Sequence, residues 1–76
     1  MTLHQRLAMH ARLQGGALYS YLIVEKVDGK EERVVGSMTV RIDRKAGEET
    51  RTYFLGDRTF DNVEAFRAAL EEARTR

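Results

Sequence analysis

From Arg33 to Asp43 the chain alternates, with Val34, Met38, Val40 and Ile42 on one side and Arg33, Val35, Ser37, Thr39 and Arg41 on the other. A period of two marks a strand with one buried face, so this segment commits the chain to a sheet. Turn signals flank it. Asp28-Gly29 is a strong short hairpin signal, and Arg44-Lys45-Ala46-Gly47 offers Gly47 for a positive φ. Residues 17–27, rich in Leu, Tyr, Ile and Val, read as the strand before the first turn. Residues 49–55, with Thr50, Thr52, Tyr53 and Phe54, read as the strand after the second. Together these make a three-stranded antiparallel meander.

The first of these strands is apolar on both sides, so its register is open. A two- or four-residue loop at Asp28-Gly29 sets Tyr19, Tyr21 and Ile23 beside Val34, Met38 and Val40 and makes the tyrosines core. A five-residue loop through Glu32 instead sets Leu18, Leu22 and Val24 beside Ile42, Met38 and Val34, leaving Tyr19 and Tyr21 on an open face with Arg33, Thr39 and Arg41. The second register is preferred, because a three-stranded sheet with helices on one face leaves the other face wet.

Two helices flank the sheet in this reading. Thr2 and Gln5 fit a capping box, and Leu3, Leu7, Ala11 and Gln14 fall on one helical stripe that ends at Gly15-Gly16, which predicts a helix over about residues 2–14. Met9 and Leu13 lie opposite that stripe, so the segment is apolar on two sides and has surface to spare for a partner. Asp61 and Glu64 fit a second capping box, with Phe60 as the staple residue touching Ala65. Val63, Phe66, Ala69, Leu70 and Ala73 then form an apolar stripe on a helix starting at Asn62, with Arg74 and Arg76 at the favourable end of its dipole. The expected fold is α+β in the order α-β-β-β-α, a three-stranded antiparallel sheet with helices packed on one face, in a single domain over residues 1–76.

A chain of 76 residues is small, and ordinary domains run to ~100 to 150 residues. Its eighteen Leu, Ile, Val and Phe residues still support a core, while the absence of Cys removes disulfides, thiolate metal sites and thiol catalysis. A net charge of +1 gives no global field toward nucleic acid or an anionic membrane. The longest apolar stretch, about residues 17–24, is far short of the ~20 residues of a membrane span, and the basic first sixteen residues leave no apolar signal region. A cytoplasmic protein with no membrane partner is expected.

No catalytic constellation stands out. His4 and His10, six apart on the expected helix, point about 120° away from one another, which defeats joint metal ligation. Ser20 and Ser37 fall in expected strands with no histidine placed beside them, and the adjacent pairs Glu31-Glu32, Glu48-Glu49 and Glu71-Glu72 point their members different ways. Neither enzyme, cofactor nor metal is expected.

The α-β-β-β-α order resembles the double-stranded-RNA-binding domain, but Asp57, Asp61 and Glu64 stand where that family's phosphate-holding lysines would be. Residues 21–73 also resemble the sheet-plus-helix modules of phage integrases, which insert the sheet into a DNA groove. Phe60-Asp61-Asn62-Val63-Glu64, after strands that include Tyr21-Leu22-Ile23-Val24-Glu25, resembles small phage anti-CRISPR proteins. That resemblance implies a non-catalytic inhibitor that binds a subunit of a larger nucleoprotein complex and blocks its nucleic-acid binding. The expected function is therefore a protein-binding module, with Tyr19, Tyr21, Arg33, Arg41, Arg51 and Tyr53 as the partner-binding face. The alternative is a nucleic-acid binder that uses the same arginines and tyrosines, and a homodimer is also compatible with so small a core.

Overall fold

A computed structural model describes residues 2–29 and 31–75, the side chains of Glu31 and Glu32 excepted. Five strands, β1 (Thr2–Leu13), β2 (Gly16–Val27), β3 (Glu31–Asp43), β4 (Glu48–Leu55) and β5 (Arg58–Phe60), precede one helix, α1 (Val63–Arg74). The strands form a single antiparallel sheet in sequence order. The expected three-stranded α-β-β-β-α arrangement is thus corrected to a five-stranded meander with one helix.

The main correction concerns the helix expected over residues 2–14: Thr2–Leu13 form the edge strand β1 instead. Leu3, Leu7 and Ala11 are four apart and satisfy a period of two as well as one of 3.6. Polar Thr2, His4, Arg6, His10 and Arg12 alternate with apolar Leu3, Leu7, Met9, Ala11 and Leu13. As a strand, β1 also pairs the outer edge of β2, whose backbone groups a helix would leave bare. Strand β5, absent from the sequence reading, follows a tight turn at Gly56-Asp57 in which Gly56 has φ 61°.

Two bulges set the register. Near the first turn, Val24 stands opposite Val34 and Glu25 opposite Arg33; one residue further, Ile23 stands opposite Gly36, which leaves Val35 without a partner. Beyond that bulge Tyr21 faces Met38 and Tyr19 faces Val40, so the tyrosines share the core side and the open-tyrosine register is overturned. A one-residue offset reverses every side chain beyond it, and no turn residue encodes the offset. In β1 the unpaired residue is Ala8, between Leu7 opposite Tyr21 and Met9 opposite Ser20.

The core lies between α1 and one end of the sheet. Ile23, Met38, Val40, Tyr53, Phe66 and Leu70 form its buried cluster. Phe66, 1% exposed, lies directly on Gly36: a Cβ there would stand 2.8 Å from the ring and 2.6 Å from the Phe54 carbonyl oxygen. The ring also meets Tyr53, with centroids 5.8 Å apart, and Phe60 edge-on at 6.3 Å. The helix begins one residue later than the capping box implies. Asn62 is the N-cap, its Oδ1 accepting from the Ala65 N–H at 2.8 Å, and Glu64 lies in the first turn. At the other end Arg74 pairs with Glu25 of β2, whose carboxylate is buried, and approaches Glu71 at 3.5 Å. Arg76 lies outside the described residues. The helix thus crosses the sheet from Phe60 of β5 toward β2.

Two outcomes test this packing. Gly36→Ala should cost about 2–3 kcal/mol in chemical denaturation, because neither the carbonyl of a paired strand nor a buried ring can retreat, and Phe66→Leu should cost less in that background than alone. Arg74→Leu should lose about 2 kcal/mol by stranding the buried Glu25 carboxylate, while the double variant Glu25→Leu with Arg74→Leu should recover most of it.

Candidate functional site

The molecule is 42 Å long, matching strands of twelve and thirteen residues, whereas a twelve-residue helix spans only about 18 Å. Helix α1 therefore covers one end of its sheet face and leaves the other end bare. On the bare end of that face stand Tyr19 and Tyr21 of β2, Val40 and Ile42 of β3, and Glu49 and Arg51 of β4, around a depression of about 250 Å³ floored by Met38. Gln5 of β1 closes it on the far side, its Nε2 donating to Met38 Sδ at 3.8 Å.

Alternation places each group. Odd-numbered residues of β2 and even-numbered residues of β3 face this side beyond the bulge, and Arg51 stands opposite Val40 and Glu49 opposite Ile42. The β1 bulge brings His10 beside Tyr19, and the rings stack with centroids 4.5 Å apart and planes 3° from parallel. Such stacking fixes the orientation of the tyrosine without burying it. At the rim Arg51 donates from Nε at 3.3 Å and Nη2 at 3.0 Å to Glu49 Oε1. That hydrogen bond and the Glu49 charge push the Arg51 pKa up from its ordinary value. The two charges neutralise one another, so the depression offers an aromatic and aliphatic floor with a near-neutral rim.

The six expected partner-binding residues are divided by the fold. Tyr19, Tyr21 and Arg51 gather at the depression. Tyr53 is buried under α1 against Phe66, which is a packing role. Arg33 stands at the covered end, opposite Glu25 and near Arg74. Arg41, opposite Leu18 and Thr50, lies on the face away from α1. The single arginine-and-tyrosine face of the sequence reading therefore does not form. Gln5 lines the depression and His10 stacks on its Tyr19; neither is a site residue if residues 2–14 form a helix, and the polar residues alternating through β1 are the signal that places them.

His4 and His10 lie on opposite faces of β1, with His4 beside Val24 and bonded to Thr2 Oγ1 at 3.0 Å. Among the described residues no group of three His, Asp or Glu side chains could hold a metal ion. Ser20 pairs with Met9 and Thr39, and Ser37 with Leu22 and Phe54. No helix among the described residues is long and apolar enough to cross a membrane. Comparison of the chain with protein-family models, curated proteins and solved structures gave no match. The resemblance to double-stranded-RNA-binding domains rested on an α-β-β-β-α order that this sheet replaces.

The half-buried tyrosines carry part of the fold as well as the floor. Tyr21→Ala should cost about 2 kcal/mol in thermal or chemical denaturation and Tyr19→Ala about 1 kcal/mol, the difference reflecting Tyr21's place opposite buried Met38.

Proposed function

We propose that the protein is a non-catalytic protein-binding module whose partner covers the end of the helix-bearing face that α1 leaves bare. The supporting observation is the mismatch between the sheet and its single helix, which leaves Tyr19, Tyr21 and Ile42 uncovered on the same face as the core. Aromatic groups held rigidly over an aliphatic floor give large contact area at low entropic cost, which is the composition of interface centres. The rim pair Arg51–Glu49 supplies polar contacts and little net charge.

The finer reading, an inhibitor of anti-CRISPR type acting on a subunit of a nucleoprotein complex, is supported by the Phe60–Glu64 resemblance alone. In the structure Asn62 of that segment caps α1, which is a folding role. The nucleic-acid alternative loses a contiguous basic face, because Arg41 is on the other side of the sheet and Arg51 is already paired with Glu49.

Affinity capture of the tagged protein from host lysate, with and without nuclease, should recover one stoichiometric protein complex that survives nuclease. Arg51→Glu, an exposed change, should leave the thermal midpoint near wild type and abolish the capture. Material that disappears with nuclease treatment would transfer the function to nucleic acid.

A further inference from the structure

The chain exposes 5758 Å², whereas a compact monomer of 8.7 kDa exposes about 4,700 Å². Its radius of gyration is likewise 13.9 Å against about 11 Å for a compact domain of this length. The excess of about 1,000 Å² is close to the ~800 Å² that each partner contributes to a standard interface.

Strand β1 is exposed along almost its whole length. This strand is paired along one edge with β2, is exposed at ten of its twelve residues and, among the described residues, has no strand on its other edge. About half of its residues direct backbone N–H and C=O groups outward from an antiparallel pair. The opposite edge is shorter: β5, three residues long, lies against α1, and beyond it only residues 48–52 of β4 run without a further strand among the described residues. Three of the five exposed large apolar side chains among the described residues are also on β1: Leu7 at 55%, Met9 at 50% and Leu13 at 37%. Long open edges of this kind are templates for a further strand.

We infer that a second copy of this chain occupies the edge, its β1 antiparallel to the first, making a two-fold dimer with a continuous ten-stranded sheet. The argument for self-pairing comes from β1 itself. It carries His4, Arg6, His10 and Arg12 and no carboxylate, so parallel in-register pairing would stack like charges. An antiparallel two-fold between Leu7 and Ala8 instead sets Arg6 opposite Met9, Arg12 opposite Leu3, His4 opposite Ala11 and His10 opposite Gln5. Every basic or imidazole group then faces a neutral one.

In a regular strand those pairs would lie on opposite faces of the sheet, because their positions differ by odd numbers. The bulge at Ala8 removes that conflict. Arg6 and Met9 both lie away from α1, and Leu3 and Arg12 both lie toward it. The same bulge, with the arginines, discourages pairing with an unrelated flat strand, and the two-fold closes the assembly by consuming the one long edge of each copy.

Sedimentation equilibrium of the purified chain over a wide concentration range should give twice the chain mass at the upper end. Met9→Lys should weaken association by about tenfold or more while keeping the sheet's circular dichroism. Because the chain has no cysteine, Ala8→Cys should form a disulfide-linked dimer under mild oxidation and Thr59→Cys, on β5, should not. A monomer at every concentration overturns the inference, as does a dimer that Met9→Lys leaves unchanged or that Thr59→Cys links as readily as Ala8→Cys.

Discussion

The contact between Phe66 and the bare backbone of Gly36 holds the helix and the sheet together. A single ring set against a strand without a side chain brings α1 close enough for Leu70 and Ala69 to be buried and for Arg74 to reach Glu25. The fixed points at either end, Phe60 and Glu25, then determine how much sheet the helix can cover. Since α1 has only twelve residues, the far end of the same face is left to other occupants. The small core and the proposed binding surface are two parts of one apolar face, divided by where the helix stops.

Much of this fold is legible in the residues. The Asp28-Gly29 turn, the three central strands, the apolar stripe of α1 and the alternation of Met38, Val40 and Ile42 in β3 all appear in the structure within a few positions, whereas Val34, before the bulge, lies on the other face and is exposed. Asp28 and Gly29 both take positive φ, 54° and 69°, as a tight hairpin turn requires. The turn between β3 and β4 is held by Asp43, whose carboxylate accepts from the N–H groups of Lys45 and Ala46 at 3.0 and 3.2 Å. What the residues did not disclose were the features in which local pattern admits two solutions. Leu3, Leu7 and Ala11 satisfy helix and strand alike, and only the presence of β2 with an unpaired edge decides between them. The apolar two-sidedness of that segment was the warning sign.

The bulges were less legible still. Gly36 is the one local signal, since a glycine inside a strand marks a bulge or a close backbone approach, and nothing in Leu7-Ala8-Met9 departs from regular strand; yet each bulge moves half of a strand to the other face. The tyrosine register therefore could not be settled from the turn, because the turn and the far half of the hairpin follow different offsets. The division of the candidate site follows from the same cause: Tyr19 and Tyr21 join Arg51 around Met38, while Arg41 is carried to the opposite side. Chemical character was recognised residue by residue; neighbourhood was not, since it depends on an offset that only long-range pairing fixes.

The sheet's strand order is its sequence order, and this shapes how the chain comes into being on a ribosome. Each strand can zip onto the one just before it through a short loop, so the meander can assemble while synthesis continues. Phe66 and Leu70 emerge only after all five strands. Until then Ile23, Met38 and Tyr53 form an apolar floor with nothing over it, and β1 an edge with nothing beside it. The nascent sheet is thus stickiest before its own helix exists.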